Sequence, residues 1–306
     1  MSPKAAQYYI QSLKDLSIGD PIYHPDSEGL KVGHCGYFDE NGRWKDILDL
    51  MNIESQHSNY KPLSSPLPVA SSSKPQRWGP IFGNTVTSCG LEQTTSIVIP
   101  GAPASAGVNL AFEKSSNYGA VLMADPVTFE SFPHKEQFHQ WCKANAPILL
   151  ADKIFGPVLK RRPLFIVTEL YSTPRCSITY WEGATKQVSI GVSADAWSAG
   201  KLTGSGFWGK STNVGTWRGF GFDDSEDENK NKEKNILFVG GLEYKFNFIR
   251  ALLGSENPLD LVRRGPGDPS DSFGICSEGD FYSGQVTPKS LALPFAIPQP
   301  FKMTSI

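Results

Sequence analysis

The sequence has no excess of charge of either sign: 29 Lys and Arg stand against 31 Asp and Glu, for a formal net charge of −2. No overall field draws the chain toward nucleic acid, which is not expected as a partner. No stretch approaches the roughly 18 consecutive apolar residues of a membrane-crossing helix. The first residues, Met1-Ser2-Pro3-Lys4-Ala5-Ala6-Gln7, lack the apolar run of about 7–15 residues that a secretory signal needs. Asn-x-Ser/Thr acceptor sites are absent. Cysteine is sparse, and Cys35, Cys89, Cys142, Cys176 and Cys276 are odd in number and widely spaced, unlike a disulfide framework. Together these absences point to a reducing, cytoplasmic setting.

What is abundant is Gly (29), Pro (23) and aromatic surface, with 18 Phe, 10 Tyr and 7 Trp. Gly and Pro interrupt regular helices, so short strands and loops are favoured over a bundle. Four runs alternate with period two, the mark of a strand with one buried face. They are Val108/Leu110/Phe112, Ile178/Tyr180, Val188/Ile190/Val192 and Leu242/Tyr244/Phe246/Phe248. Ala120–Ala124 and Leu164–Thr168 are continuously apolar and read as deeply buried strands. The expected fold is α+β: a large, mostly antiparallel twisted sheet with a few helices, Gly/Pro-rich loops and an extended C-terminal tail.

Four segments follow. Residues 1–60 hold an amphipathic helix over 3–16, with Tyr9, Leu13 and Leu16 on one face, and short strands joined at Asp39-Glu40-Asn41-Gly42. Residues 61–75, rich in Pro, Ser and Lys, read as an exposed linker, and 76–254 as the strand-rich core. Within the core a helix over 134–145 gathers Phe138, Trp141 and Cys142, with Pro147 closing it or opening another turn. Residues 223–235 hold no apolar side chain and read as a surface loop. Residues 255–306 form a Pro-rich tail.

Motifs for chemistry fail on context. Gly204-Ser205-Gly206-Phe207-Trp208-Gly209-Lys210-Ser211 matches G-x-x-x-x-G-K-S, but a phosphate loop needs a buried strand before it and a helix after it. Neither flank has that pattern, and the overlapping G-x-G-x-x-G fails the same test. His134 and His139 are five apart, about 140° around a helix, whereas paired zinc ligands sit at i and i+4. Ser198 and Ser205 lack a complete G-x-S-x-G elbow, and Cys142 falls on an apolar helix face. No catalytic, cofactor or metal residues are assigned.

Leu164-Phe165-Ile166-Val167-Thr168-Glu169-Leu170 and Ser172–Ile178, with Val239-Gly240-Gly241-Leu242 later, resemble a widespread family of uncharacterised fungal proteins over about residues 30–250. Phe165-Ile166-Val167-Thr168-Glu169, after an apolar strand and a helix, is also similar to the "YVVTE" strand in the pore-forming domain of gasdermins. Lys160-Arg161-Arg162 resembles the basic stretch near it. The helix over 3–16 departs from that family's strongly basic one. The resemblance implies a non-enzymatic cell-death effector that is cytoplasmic until triggered, then docks on lipids through Lys160, Arg161 and Arg162. An activating protease, cutting at 223–235 or after Gly254, and oligomers on the membrane are implied with it. Two other readings stand beside it. One is an enzyme whose site assembles in space around His34, His134 or Cys176; the other is a ligand- or protein-binding module using Trp208, Trp217 and Phe220.

Overall fold

In the computed structural model the described residues are 3–52, 60–63, 70–76, 78, 80–94, 107–124, 126–184, 186–193, 217–221, 234–247 and 259–263. The chain divides into two units, Met1–Ser272 and Phe273–Ile306, and all of these residues lie in the first. The loop at 204–211 and nearly all of 223–235 lie outside them, as do Trp208 and the chain beyond 263.

Fifteen strands are described, and every pairing between them is antiparallel, as the α+β reading expects. The longest ladder joins β10 (Leu164–Thr173) to β14 (Asn235–Phe246). Both are buried for most of their length, which explains why Leu164–Thr168 carries no polar alternation. On the far side of β14 lie β1 (Asp20–Pro21) and β15 (Leu259–Arg263). On the far side of β10 lie β2 (His34–Phe38) and β9 (Thr128–Ser131). Then come β3 (Trp44–Asp49) beside β2 and β4 (Ser71–Ser72) beside β9, completing an eight-stranded sheet. A four-stranded sheet has the order β13 (Arg218–Phe220), β11 (Cys176–Glu182), β8 (Tyr118–Ala124), β5 (Ile81–Phe82). A three-stranded one runs β12 (Gln187–Ser193), β7 (Gly107–Lys114), β6 (Val86–Thr94).

The N-terminal segment is part of this core. Helix α1 (Pro3–Leu13), extended by a 3-10 turn over Lys14–Leu16, buries Tyr9 and Leu13 with Ala120, Leu122 and Ile178. Ser12 Oγ accepts a hydrogen bond from Ala120 N at 3.1 Å. The β2–β3 hairpin turns at the expected place: Asp39 Oδ1 accepts the amides of Asn41 and Arg43, both at 2.9 Å, and Gly42 takes φ +73°. That left-handed conformation favours glycine. The 61–75 linker is tied down at both ends where it is described. Asn145, fully buried, accepts Lys61 N at 2.8 Å, and Ser71–Ser72 pairs with β9. Leu259–Arg263, in the segment read as tail, extends the main sheet.

Helix α2 spans Glu136–Ala151 and runs through Pro147. An interior proline removes one backbone bond and costs about 3 kcal/mol. Phe138, Trp141, Cys142, Asn145, Ala146 and Leu149 recur at helical spacing and are all buried, so tertiary packing on both sides of Pro147 outweighs that cost.

Candidate functional site

Three of the ladders are segments of one two-stranded ribbon. In β7–β12, β8–β11 and β9–β10 the numbers of every paired couple add to 300, from Gly107↔Ser193 to Ser131↔Glu169. Residues 107–131 therefore run against 169–193 in one register through all three sheets. The ribbon bends at two joints. At the first, between the β7–β12 and β8–β11 ladders, Lys114 N→Lys186 O (3.1 Å) and Gly183 N→Asn117 O (3.3 Å) keep the register. Lys114 Nζ donates to the carbonyls of Asn117 and Gly183, each at 3.0 Å. Burial lowers its pKa. At the second joint Pro126 and Pro174 stand at the same level. Neither has an N–H to donate, so the ladder opens there and the strands change sheets.

The first joint folds the ribbon back on itself. Leu110, Phe112 and Val188 from the three-stranded sheet pack against Val121, Met123 and Trp181 from the four-stranded one. Trp217 joins this cluster partly buried, with Nε1 on Ser189 O at 2.9 Å. Phe220 is partly buried too, and the Arg218 guanidinium lies 5.0 Å from its ring centroid. Both aromatics are engaged in capping the sheets.

Of the three basic residues, Lys160 and Arg161 are exposed. Arg162 is engaged: Nη2 pairs with Glu40 Oε2 at 2.7 Å and Nη1 bonds Phe38 O at 3.3 Å. They follow helix α3 (Gly156–Leu159), one turn joined to α2 by the knuckle Asp152–Phe155. Asp152 Oδ1 accepts the amides of Ile154 (2.7 Å) and Phe155 (2.9 Å). Gly156 N bonds Asp152 O at 3.0 Å, and a Cβ on Gly156 would lie 2.3 Å from Leu150 O. This rigid turn leaves Ile154 73 % exposed beside exposed Lys153. Sequence reasoning passed over both, although a lone Ile in a turn next to a basic run was a legible signal.

The groups named for an assembled enzyme are dispersed. His34 Nδ1 lies 3.0 Å from Asp46 Oδ1 and Nε2 3.8 Å from Asp49 Oδ2, on the β2–β3 edge. His134 is exposed. Cys176 is fully buried, and desolvation pushes its thiol far up, away from a nucleophile's range. Cys142 is pushed up to about 12 by burial, against an opposing hydrogen bond to Tyr244. Tyr244 Oη in turn lies 3.0 Å from His139 Nδ1. Among the described residues no group of three or more His, Cys, Asp or Glu is placed to hold a metal ion, and no helix is long and apolar enough to cross a membrane.

No protein-family model matches the chain, and neither does any curated protein. The ribbon and the basic knuckle are therefore read from their own geometry.

Proposed function

We propose that this protein is a non-enzymatic effector that acts on membranes after a trigger, by straightening its folded ribbon into membrane-spanning strands of an oligomeric barrel. The single-register ribbon carries this reading. A spanning strand needs about 9–11 residues, more than any one alternating run in the sequence supplies. The ribbon supplies 25 on each side, 107–131 and 169–193, or about 80 Å at 3.3 Å per residue if drawn straight. Straightening keeps the pairs within the ribbon and gives up the packing across the joints together with the ribbon's pairing to neighbouring strands of the separate sheets, among them β14, β4, β5 and β13. The alternating outer segments 107–114 and 187–193 then turn apolar faces to lipid, as alternation requires of a barrel strand, while Ala120–Ala124 between the joints is apolar throughout. Before the trigger the protein is cytoplasmic; afterwards it is membrane-associated, with lipids and an activating protease as partners.

Dye leakage from liposomes, measured before and after limited proteolysis, tests this. Cleaved protein should release dye where intact protein does not. Liposomes that stay sealed with fully cleaved protein reject the reading.

A further inference from the structure

Arg218 lies on β13, at the end of the four-stranded sheet, with its guanidinium 4.9 Å from the Tyr23 ring centroid and 5.0 Å from that of Phe220. Its hydrogen bond, Nη1 to Tyr23 O, is 3.4 Å long. Among the described residues no carboxylate forms an ion pair with it. A half-buried guanidinium stacked on rings keeps its N–H edge open, and that edge matches the two oxygens of a planar carboxylate.

Two more polar groups around the same Tyr23 ring are buried without a partner. The Tyr9 and His24 rings stand 5.5 Å and 5.0 Å from it, and both Tyr9 Oη and His24 Nδ1 lack a hydrogen bond. Tyr9 is 0 % exposed and His24 3 %. Tyr9 Oη is a donor; His24 Nε2, 3.1 Å from Asn41 O, holds the ring proton, so Nδ1 is an acceptor. Each such orphan costs about 1–3 kcal/mol, and native proteins keep few of them. The Arg218 charge acts on both groups. Burial and Cys176 raise the Tyr9 phenol and Arg218 lowers it; burial, then Arg43 and Arg218, lower His24. The set is complementary to one kind of molecule, since it offers a forked cation, a hydroxyl donor and a lone pair. We infer that Tyr9, His24 and Arg218 form a binding site for a small aromatic hydroxy acid, its carboxylate taken by Arg218 and Tyr9 Oη and its hydroxyl donating to His24 Nδ1. The Tyr23 ring, with Tyr180 6.0 Å from it, supplies the aromatic wall. Tyr9 and His24 are closed off in the unliganded protein, so entry requires Arg218 to swing off the Tyr23 ring, giving up its long bond to Tyr23 O. The site does not rest on the membrane reading, and liposomes that stay sealed would leave it standing.

The test is isothermal titration calorimetry of the full-length chain with 4-hydroxybenzoate, benzoate and 4-hydroxybenzamide. 4-Hydroxybenzoate should bind, benzoate should bind at least about 10-fold more weakly, a loss of about 1.4 kcal/mol, and the uncharged amide should not bind. Tyr9→Phe and Arg218→Lys should each weaken 4-hydroxybenzoate at least about 10-fold. Tyr9→Phe removes a hydroxyl that makes no bond in the unliganded protein, so its unliganded thermal midpoint should not fall, and lost binding then reports the site and not the fold. Arg218→Lys keeps the charge and loses the fork. Wild type that binds none of the three compounds overturns the inference, as does binding that both variants leave unchanged. Amide bound as tightly as acid rejects the carboxylate assignment. Benzoate bound as tightly as 4-hydroxybenzoate rejects the hydroxyl and removes His24 from the site.

Discussion

Lys114 Nζ lies 3.0 Å from the carbonyl oxygen of Gly183, on the opposite strand of the ribbon, and the same distance from Asn117 O on its own strand. One ammonium thus bridges both strands where the ribbon folds back, at a residue only 8 % exposed.

Replacing Lys114 by Met keeps the length of the side chain and removes both bonds. Gly183 O then loses this donor and Asn117 O is left with the Gly183 amide, at about 1–3 kcal/mol. Urea unfolding should show the midpoint falling with little change in slope. In the leakage assay the variant should need less proteolysis than wild type. A wild-type unfolding midpoint would show that the joint does not depend on this clamp.

His24 is buried, and its Nε2 lies 3.1 Å from Asn41 O, so Nε2 carries the proton and Nδ1 the lone pair. Nδ1 has no partner. Burial, then Arg43 and Arg218, lower the pKa from 6.5 against smaller opposing effects of Asp26 and the Asn41 bond. The folded state therefore holds the neutral ring, while the unfolded chain takes up a proton as pH drops below 6.5. Stability should decline as pH falls from about 6.5 toward the lowered value, and His24→Gln should flatten that part of the profile. Equal profiles for wild type and variant, from urea midpoints across pH 7 to 5, would remove His24 as the cause.

Asn145 accepts Lys61 N at 2.8 Å and donates to Lys61 O (3.1 Å) and Trp141 O (3.0 Å). Asn145→Leu keeps the branching of the side chain and breaks all three bonds, for a loss of about 2–3 kcal/mol. Chymotrypsin should then cut after Tyr60, which packs on the core beside Trp141, faster than in wild type. No gain in cleavage would show that Trp141 Nε1, bonded to Lys61 O at 2.9 Å, suffices alone.

Cysteine labelling gives a further check. Cys89 is exposed, whereas Cys35, Cys142 and Cys176 are buried with thiols raised by desolvation. Iodoacetamide at pH 8 should modify Cys89 slowly in native protein, because desolvation and Glu113 raise its thiol too. The other three should react only after denaturation, as peptide mass mapping would register. Native labelling of Cys142 would contradict its burial between α2, which carries it, and β14.

Strands were legible wherever one physical pattern ran uninterrupted. Val108/Leu110/Phe112 and Val188/Val192 alternate and pair as β7 and β12, and the all-apolar Ala120–Ala124 is a strand buried along its length. Pro147 misled, because proline's local cost is visible in the sequence and the packing that offsets it is not. The basic run was legible as charge, but the Glu40 partner that removes Arg162 from it lies 122 residues away.

The sequence alone determined that the protein would be strand-rich and antiparallel, since period-two runs, Gly and Pro leave little else for the backbone to do. It also placed the prolines 126 and 174 that open the ladder. Only the tertiary structure decided that 107–131 and 169–193 share one register. Pairing is set by contacts across the intervening α2 and α3, and no local pattern on either strand records which residue it will face.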